Sequence, residues 1–411
     1  MSIESPSPAE PNALPGGFLW GAVQAGIKAS GKPDLAAAYA PRGASAAAMF
    51  TKNQVLAAPV QIGKRHLAAT HGRVSTVLIN SGNANCATGE PGLEACLQSC
   101  KGAAQRFGCI FDEVFPSSTG IIGIPLPINK ILGSLDALHA SLGSTPEHAE
   151  AFATALMTTD TRMKVARAVI ETARGPITVF GAAKGAGMIH PQLAGPPHAT
   201  MLAYIFTDAE ASSTQLNLLL AAAVEPSFNA ISIDGDTSTN DTVLLLASGA
   251  TAIPLDGPVL PAFADALALV CASLAHQIVA DGEGVTHVVT LKISGARTAE
   301  AARQIARAIA HSPLNKTAWS SADPNWGRLL AAAGNAGVAF DPARLTIAIG
   351  DQIVFENGLR SPSFDEHRAH RTMQQREYSI ALDLGQGSAS LNFLTCDLTE
   401  EYVRINADYS T

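Results

Sequence analysis

Apolar and polar positions fall into blocks along the chain. Residues 75–80 and 175–183 are short apolar runs bounded by turn residues, and they predict buried strands. Residues 200–207 (Thr-Met-Leu-Ala-Tyr-Ile-Phe-Thr) are almost wholly apolar, as a strand covered on both faces must be. Helical spacing marks residues 90–107, 147–157, 213–224, 259–279 and 298–311. Ser144 and Glu147 have the spacing of a capping box ahead of the second of these. The later part adds strands near residues 286–294, 345–349, 378–384 and 388–396, some in hairpin-like pairs. Strands and helices interspersed in this way predict an α/β class, a mixed α+β layered sandwich with two lobes. No fixed-period repeat is visible.

Two segments break the pattern. Residues 1–15 are rich in Pro, Ser and Glu and read as a flexible tail without the basic and apolar regions of a signal peptide. Residues 191–198 (Pro-Gln-Leu-Ala-Gly-Pro-Pro-His) form a turn-rich tongue directly before the apolar run at 200–207, a natural place for a break in the chain.

Composition narrows the function. Of 411 residues, 47% are hydrophobic and 15% charged, against about 25% charged in an average protein, so most of the chain must form core. Aromatics are only 5%, which leaves Ala, Val, Ile and Leu to fill it. A net charge of −8 opposes nucleic-acid binding, which needs a basic field. The uncharged stretch 266–280 carries His276 and Gln277 and reads as a core helix, so no membrane partner is expected. The six cysteines lack metal or disulfide-framework spacing and read as buried thiols of a cytoplasmic protein. His367 and His370 sit among arginines on what reads as a solvated helix face, and no metal site is expected.

The common catalytic signatures are missing: there is no phosphate-binding P-loop, no GxGxxG after a strand, no GxSxG and no HExxH. Dense small-polar clusters take their place. They are Asn80-Ser-Gly-Asn-Ala-Asn85, Pro116-Ser-Ser-Thr-Gly120, Thr158-Thr-Asp-Thr161, the string from Ser232 to Thr242, Asp281-Gly-Glu-Gly284 and Asp323-Pro-Asn-Trp-Gly-Arg328. Each alone is a plausible turn. Together they read as the floor of a polar small-molecule site assembled from many loops. A Thr-Gly turn can aim a hydroxyl and a backbone N–H at one developing oxyanion. A Thr at the start of a buried strand, freed by a break before it, would hold its own α-amine as a base beside its hydroxyl.

Lys184-Gly-Ala-Gly-Met-Ile-His-Pro191 followed by Ala199-Thr-Met-Leu202 resembles the ornithine acetyltransferase (bifunctional glutamate N-acetyltransferase) family of arginine biosynthesis. The other clusters, and the terminal Tyr402-Val-Arg-Ile-Asn-Ala-Asp-Tyr-Ser-Thr411, follow in the family's order, so the resemblance spans about residues 16–411. It implies a self-processing fold cut between Ala199 and Thr200 into chains 16–199 (with the tail) and 200–411, assembled as two copies of each. It implies Thr200 as nucleophile, Thr119 and Gly120 as the oxyanion hole, and Thr158, Lys184, Thr200, Glu283, Asn406 and Thr411 as substrate contacts. Thr159 is the near alternative to Thr158. The substrates implied are N-acetylornithine and glutamate, with no cofactor and with acetyl-CoA as a candidate co-substrate. The chain departs from the pattern at Ala194-Gly-Pro-Pro-His198, residues extra to the family's usual spacing before Ala199. Alternation through Tyr402, Val403, Ile405 and Ala407 suits a terminal strand tied into a sheet, carrying Asn406 and Thr411 to the pocket. The competing reading is an N-terminal-nucleophile amidohydrolase or aminopeptidase, which would give the acyl group to water.

Overall fold

A computed structural model describes residues 13–192 and 201–408. The first stretch runs β1 (Leu19–Val23), β2 (Leu35–Phe50), α1 (Ala58–Ala69), β3 (Arg73–Asn83), α2 (Gly89–Phe107), β4 (Val114–Ile121), α3 (Ile128–Ala140), α4 (Pro146–Leu156), β5 (Lys164–Thr172) and β6 (Gly175–Lys184). The second runs β7 (Leu202–Thr207), α5 (Ser213–Val224), β8 (Thr242–Ala247), α6 (Val259–Ala280), β9 (Val288–Ala296), α7 (Ala299–Ala310), α8 (Pro313–Ser320) and α9 (Trp326–Gly334). It ends with β10 (Thr346–Ile349), β11 (Gln352–Glu356), β12 (Leu359–Arg360), α10 (Glu366–Met373), β13 (Glu377–Asp383), β14 (Ala389–Cys396) and α11 (Glu400–Asp408).

The strands pair into two sheets, which make the two lobes. The larger has the order β4-β3-β2-β8-β7-β6-β5, with β1 on the first half of β2. The smaller has the order β12-β11-β10-β13-β9-β14. In the larger sheet β7 and β8 are parallel neighbours, flanked by antiparallel β6 and β2. The alternation along β7 explains its unbroken apolar sequence. Tyr204 and Phe206 join Phe152 of α4 in one core cluster, while Ala203 and Ile205 join Leu216, Leu220, Leu267 and Leu274 of α5 and α6 in another. Both faces are covered, so neither set of side chains can be polar.

Helix α6 is long and apolar enough to cross a membrane by length and composition. In the fold Phe263, Leu267, Val270, Leu274 and Ile278 are buried in the cluster that backs the larger sheet, and Asp265 is exposed on the other face. It is the core helix expected of the stretch 266–280. The six cysteines are all free thiols, five of them buried.

Two local expectations fail. Helix α4 begins at Pro146 with Thr145 in the capping position, and neither Ser144 nor Thr145 caps a backbone N–H. The Thr145 hydroxyl donates instead to the Glu147 carboxylate. Proline at the first helical position has no N–H to cap, which weakens the need for a capping box. The terminal segment is also no strand. Residues 400–408 form α11, with Glu400 and Glu401 in its first turn and Arg404 paired to Glu401 one turn on.

Two sets of strand ends position the site. Strands β3 and β4 end at Asn83 and Ile121, on the side where β2 starts at Leu35, while β6 ends at Lys184 and β5, β7 and β8 begin at Lys164, Leu202 and Thr242, on the side where β2 ends at Phe50. Asn240 joins the two sets by donating to the Ala84 and Ser118 carbonyls. The register places Lys184 beside Leu202, and Leu202 beside Thr242. The small-polar clusters other than Asp323 to Arg328 gather where these strand ends meet.

Candidate active site

A cavity of about 320 Å³ opens where these strand ends meet. Its walls include Thr119 and Gly120 at the end of β4, Thr158 and Thr159 after α4, and Lys184 at the end of β6. Glu283 from the loop after α6 and Asn406 from α11 complete the set. Every predicted contact among the described residues therefore lines one cavity. Ala199, Thr200, Thr411 and the inserted residues 194–198 lie outside the described residues.

Thr119 and Gly120 owe their position to a close parallel contact between β3 and β4. A Cβ on Gly120 would lie 2.3 Å from the Gly82 carbonyl carbon, and its φ is 131°, a conformation that only glycine adopts without strain. The Lys184 ammonium donates to Thr119 Oγ1 at 3.3 Å. An ammonium has no acceptor to offer in return, so the Thr119 hydroxyl proton points away from Lys184. Asn240 holds the strand end from behind: its Nδ2 donates to the carbonyls of Ser118 (2.8 Å) and Ala84 (2.6 Å).

Lys184 and Glu283 supply opposite charges, both buried. The turn after Lys184 and the turn holding Glu283 are locked together. Glu283 N–H donates to the Ala186 carbonyl at 2.9 Å, and a Cβ on Gly187 would lie 2.5 Å from Glu283 Oε2. Glycine at 187 is thus what lets the carboxylate approach. Asn406 donates from Nδ2 to the same Oε2 at 2.8 Å.

The Asp234 carboxylate accepts from the N–H groups of Met188 (2.6 Å) and Ile189 (2.9 Å), fixing the segment that follows Lys184. Tyr402 Oη donates to the same carboxylate at 3.3 Å. Burial raises Asp234 above the usual carboxylate range, with its backbone donors offsetting part of the rise. Burial and the nearby Asp234 charge push the Tyr402 phenol up, so it stays a neutral donor. Among the described residues, no group of three or more His, Cys, Asp or Glu side chains could hold a metal ion.

Sequence reasoning placed Asp234 and Asn240 only within the polar string 232–242 read as floor, and did not single out Tyr402 or Met188. Tyr402 and Asn406 are four apart, the spacing of one helix face, a signal masked by the apparent alternation of period two. Asn240 and Asp234 stood inside a polar string where nothing distinguished one acceptor from the next. One predicted cluster is elsewhere. Asp323 to Arg328 leads into α9 in the smaller lobe, where Arg328 donates to the Leu314 carbonyl at 2.7 Å, and it does not line the cavity.

A family model described as the ArgJ family matches residues 19–411. The chain belongs to the ArgJ family. An ArgJ relative from Thermus thermophilus, the arginine biosynthesis bifunctional protein ArgJ, is 44% identical over 97% of this chain and 99% of its own length. The protein of the same name from Methylococcus capsulatus is 42% identical over 96% of this chain and 95% of its own. A crystal structure of the Mycobacterium tuberculosis ornithine acetyltransferase complexed with ornithine is 37% identical, with a TM-score of 0.41 over 44% of this chain and 94% of that one. ArgJ membership makes the chain an enzyme of arginine biosynthesis.

Proposed function

We propose that this ArgJ enzyme moves an acetyl group from N2-acetyl-L-ornithine to L-glutamate by way of an acetyl ester on Thr200, which is freed by cleavage of the Ala199–Thr200 bond. One observation carries the reading: a buried cation, Lys184, and a buried carboxylate, Glu283, face one cavity together with the Thr119–Gly120 strand end. An α-amino acid is a zwitterion, and this pair matches its carboxylate and its ammonium. Both substrates share those groups, so one pocket serves donor and acceptor in turn.

The chemistry follows. The Thr200 hydroxyl attacks the acetyl carbonyl, with its proton passing to the neighbouring α-amine. The carbonyl oxygen becomes an oxyanion, for which the outward-turned Thr119 hydroxyl and the backbone of Gly120 are the donors. The C–N bond breaks as the α-nitrogen takes that proton from the Thr200 α-amine and leaves as the neutral amine of ornithine. Glutamate's neutral α-amine then attacks the ester carbonyl, the C–O bond breaks, and the proton returns to Thr200. In self-cleavage the Thr200 hydroxyl attacks the Ala199 carbonyl, the peptide C–N bond breaks as its nitrogen takes up the hydroxyl proton and becomes the free α-amine, and water then hydrolyses the resulting Ala199 ester. The working assembly in this reading has two copies of each fragment, in the cytoplasm, and acetyl-CoA is a second donor to be tested on the same pocket.

The test is to incubate purified protein with N-acetylornithine, with and without glutamate. Transfer predicts ornithine and N-acetylglutamate in equal amounts, only when glutamate is present. Release of acetate without glutamate would replace this reading with the hydrolase one.

A further inference from the structure

Resting on the transfer reading above, we infer that Lys164 is a positioning residue, whose buried ammonium sets the spacing of Thr158, Lys184 and Glu283 in the substrate pocket. Lys164 does not line the cavity. It opens β5 opposite Ala183 of β6, and it is 1% exposed.

All three of its protons have acceptors. Lys164 Nζ donates to Asp160 Oδ1 at 2.6 Å, to Asp281 Oδ2 at 2.6 Å and to the Arg162 carbonyl at 3.3 Å. Each carboxylate in turn grips a wall of the pocket. Asp160 accepts from the Thr158 N–H at 2.9 Å and from the Gly185 N–H at 2.7 Å, so it fixes the residue beside Lys184 as well as Thr158. Asp281 stands two residues before Glu283 and accepts from the N–H groups of Thr161 (3.0 Å) and Arg162 (3.2 Å) and from the Thr161 hydroxyl. Two segments distant in sequence, residues 160–162 and Asp281, thus meet at one nitrogen, and Asp160 ties in a third, the turn at Gly185. Burial opposes the charge on Asp160, but Lys184, Lys164 and the Gly185 N–H hold its carboxyl down to about 2, so it stays an acceptor throughout the working range.

A buried ion network is weak support for stability, because desolvation offsets much of the attraction. A geometric role fits better: the network joins parts of the pocket that no shared strand joins. Removing the ammonium would leave two buried carboxylates facing each other, and their loops would separate.

The test uses Lys164→Met, which keeps the stem and deletes the charge, and Asp281→Asn, which weakens the tie between the Glu283 turn and residues 161–164 while leaving Asp160 in place. Steady-state kinetics should show KM for N-acetylornithine and KM for glutamate rising together, by about tenfold to a hundredfold, as expected for a displacement near 1 Å. A double-mutant cycle of Lys164→Met with Thr158→Ala separates positioning from stability. If Lys164 acts through Thr158, the Thr158 loss shrinks in the Lys164→Met background. Strictly additive losses overturn the inference, because independent sites add. So do unchanged KM values, or failure of both variants to yield folded protein, which would make the role purely structural. Wild-type protein without transfer activity would overturn the transfer reading and this inference together.

Discussion

On the proposed reading, a single hydroxyl and a single missing Cβ decide what the cavity can stabilise. If Thr119 is the oxyanion donor proposed above, Thr119→Ala should lower kcat on the order of 10²–10³ while KM moves little; a change confined to KM would place Thr119 on the ground state. Gly120→Ala forces a Cβ against the Gly82 backbone, so its melting temperature should drop clearly in a thermal scan. An unchanged value would mean that the β3–β4 contact can open. Asp241 has a different signature. Both carboxylate oxygens are buried without a hydrogen-bond partner among the described residues, and burial raises it well above the usual range, with Lys184 opposing and Asp234 reinforcing the rise. Its folded-state value exceeds its unfolded one, so its stabilising contribution is complete below about pH 4 and is lost as pH rises from there. Melting temperatures of Asp241→Asn and wild type, compared at about pH 4 and 8, should shift in the variant's favour at the higher pH. A pH-independent gap would contradict the assignment.

At the scale of the element, α11 shows how tertiary contacts choose between two local readings. Nine residues are too few for an isolated helix to persist in water. The Thr399 hydroxyl receives the Tyr402 N–H at 3.4 Å and donates to the Gly284 carbonyl at 2.7 Å, which ties the helix start to the turn that bears Glu283. One turn on, Asn406 reaches Glu283 itself. Val403 is 60% exposed and touches none of this. Val403→Pro should cost the helix about 3 kcal/mol and raise KM for both amino acids. Val403→Ala should leave both KM values unchanged. Equal kinetics for the two variants would show that α11 is not needed to present Asn406.

At the scale of the whole molecule, the larger sheet is interleaved. Strands β7 and β8, which follow the Ala199–Thr200 bond in sequence, lie between β2 and β6, which precede it. Cutting that bond leaves these ladders and both flanking core clusters in place. Wild-type protein should therefore run as two fragments on a denaturing gel and as one species in native size-exclusion chromatography. Thr200→Ala should remain a single chain on the denaturing gel. Cleavage that persists in Thr200→Ala would remove Thr200 as the nucleophile.

Periodicity sufficed for most elements because burial imposes it directly. The run at residues 200–207 had to be apolar on both faces once it lay mid-sheet, and α5, α6 and α7 carry the apolar spacing of helices on a sheet. The polar clusters, and the resemblance they support, were enough to name Thr119, Gly120, Thr158, Lys184, Glu283 and Asn406. The sequence could not tell which of many similar acceptors bind which loop. Asp160, Asp281 and Asp234 look alike in the chain, and only proximity across more than a hundred residues makes the first two share Lys164. Nor could it decide the form of the C-terminal segment, since Tyr402 to Ala407 fits both a two-residue and a helical period. Local pattern records which side chains must leave water. Hydrogen-bond partners between distant loops arise only when the folded strands bring those loops together, and that is a property of the tertiary structure.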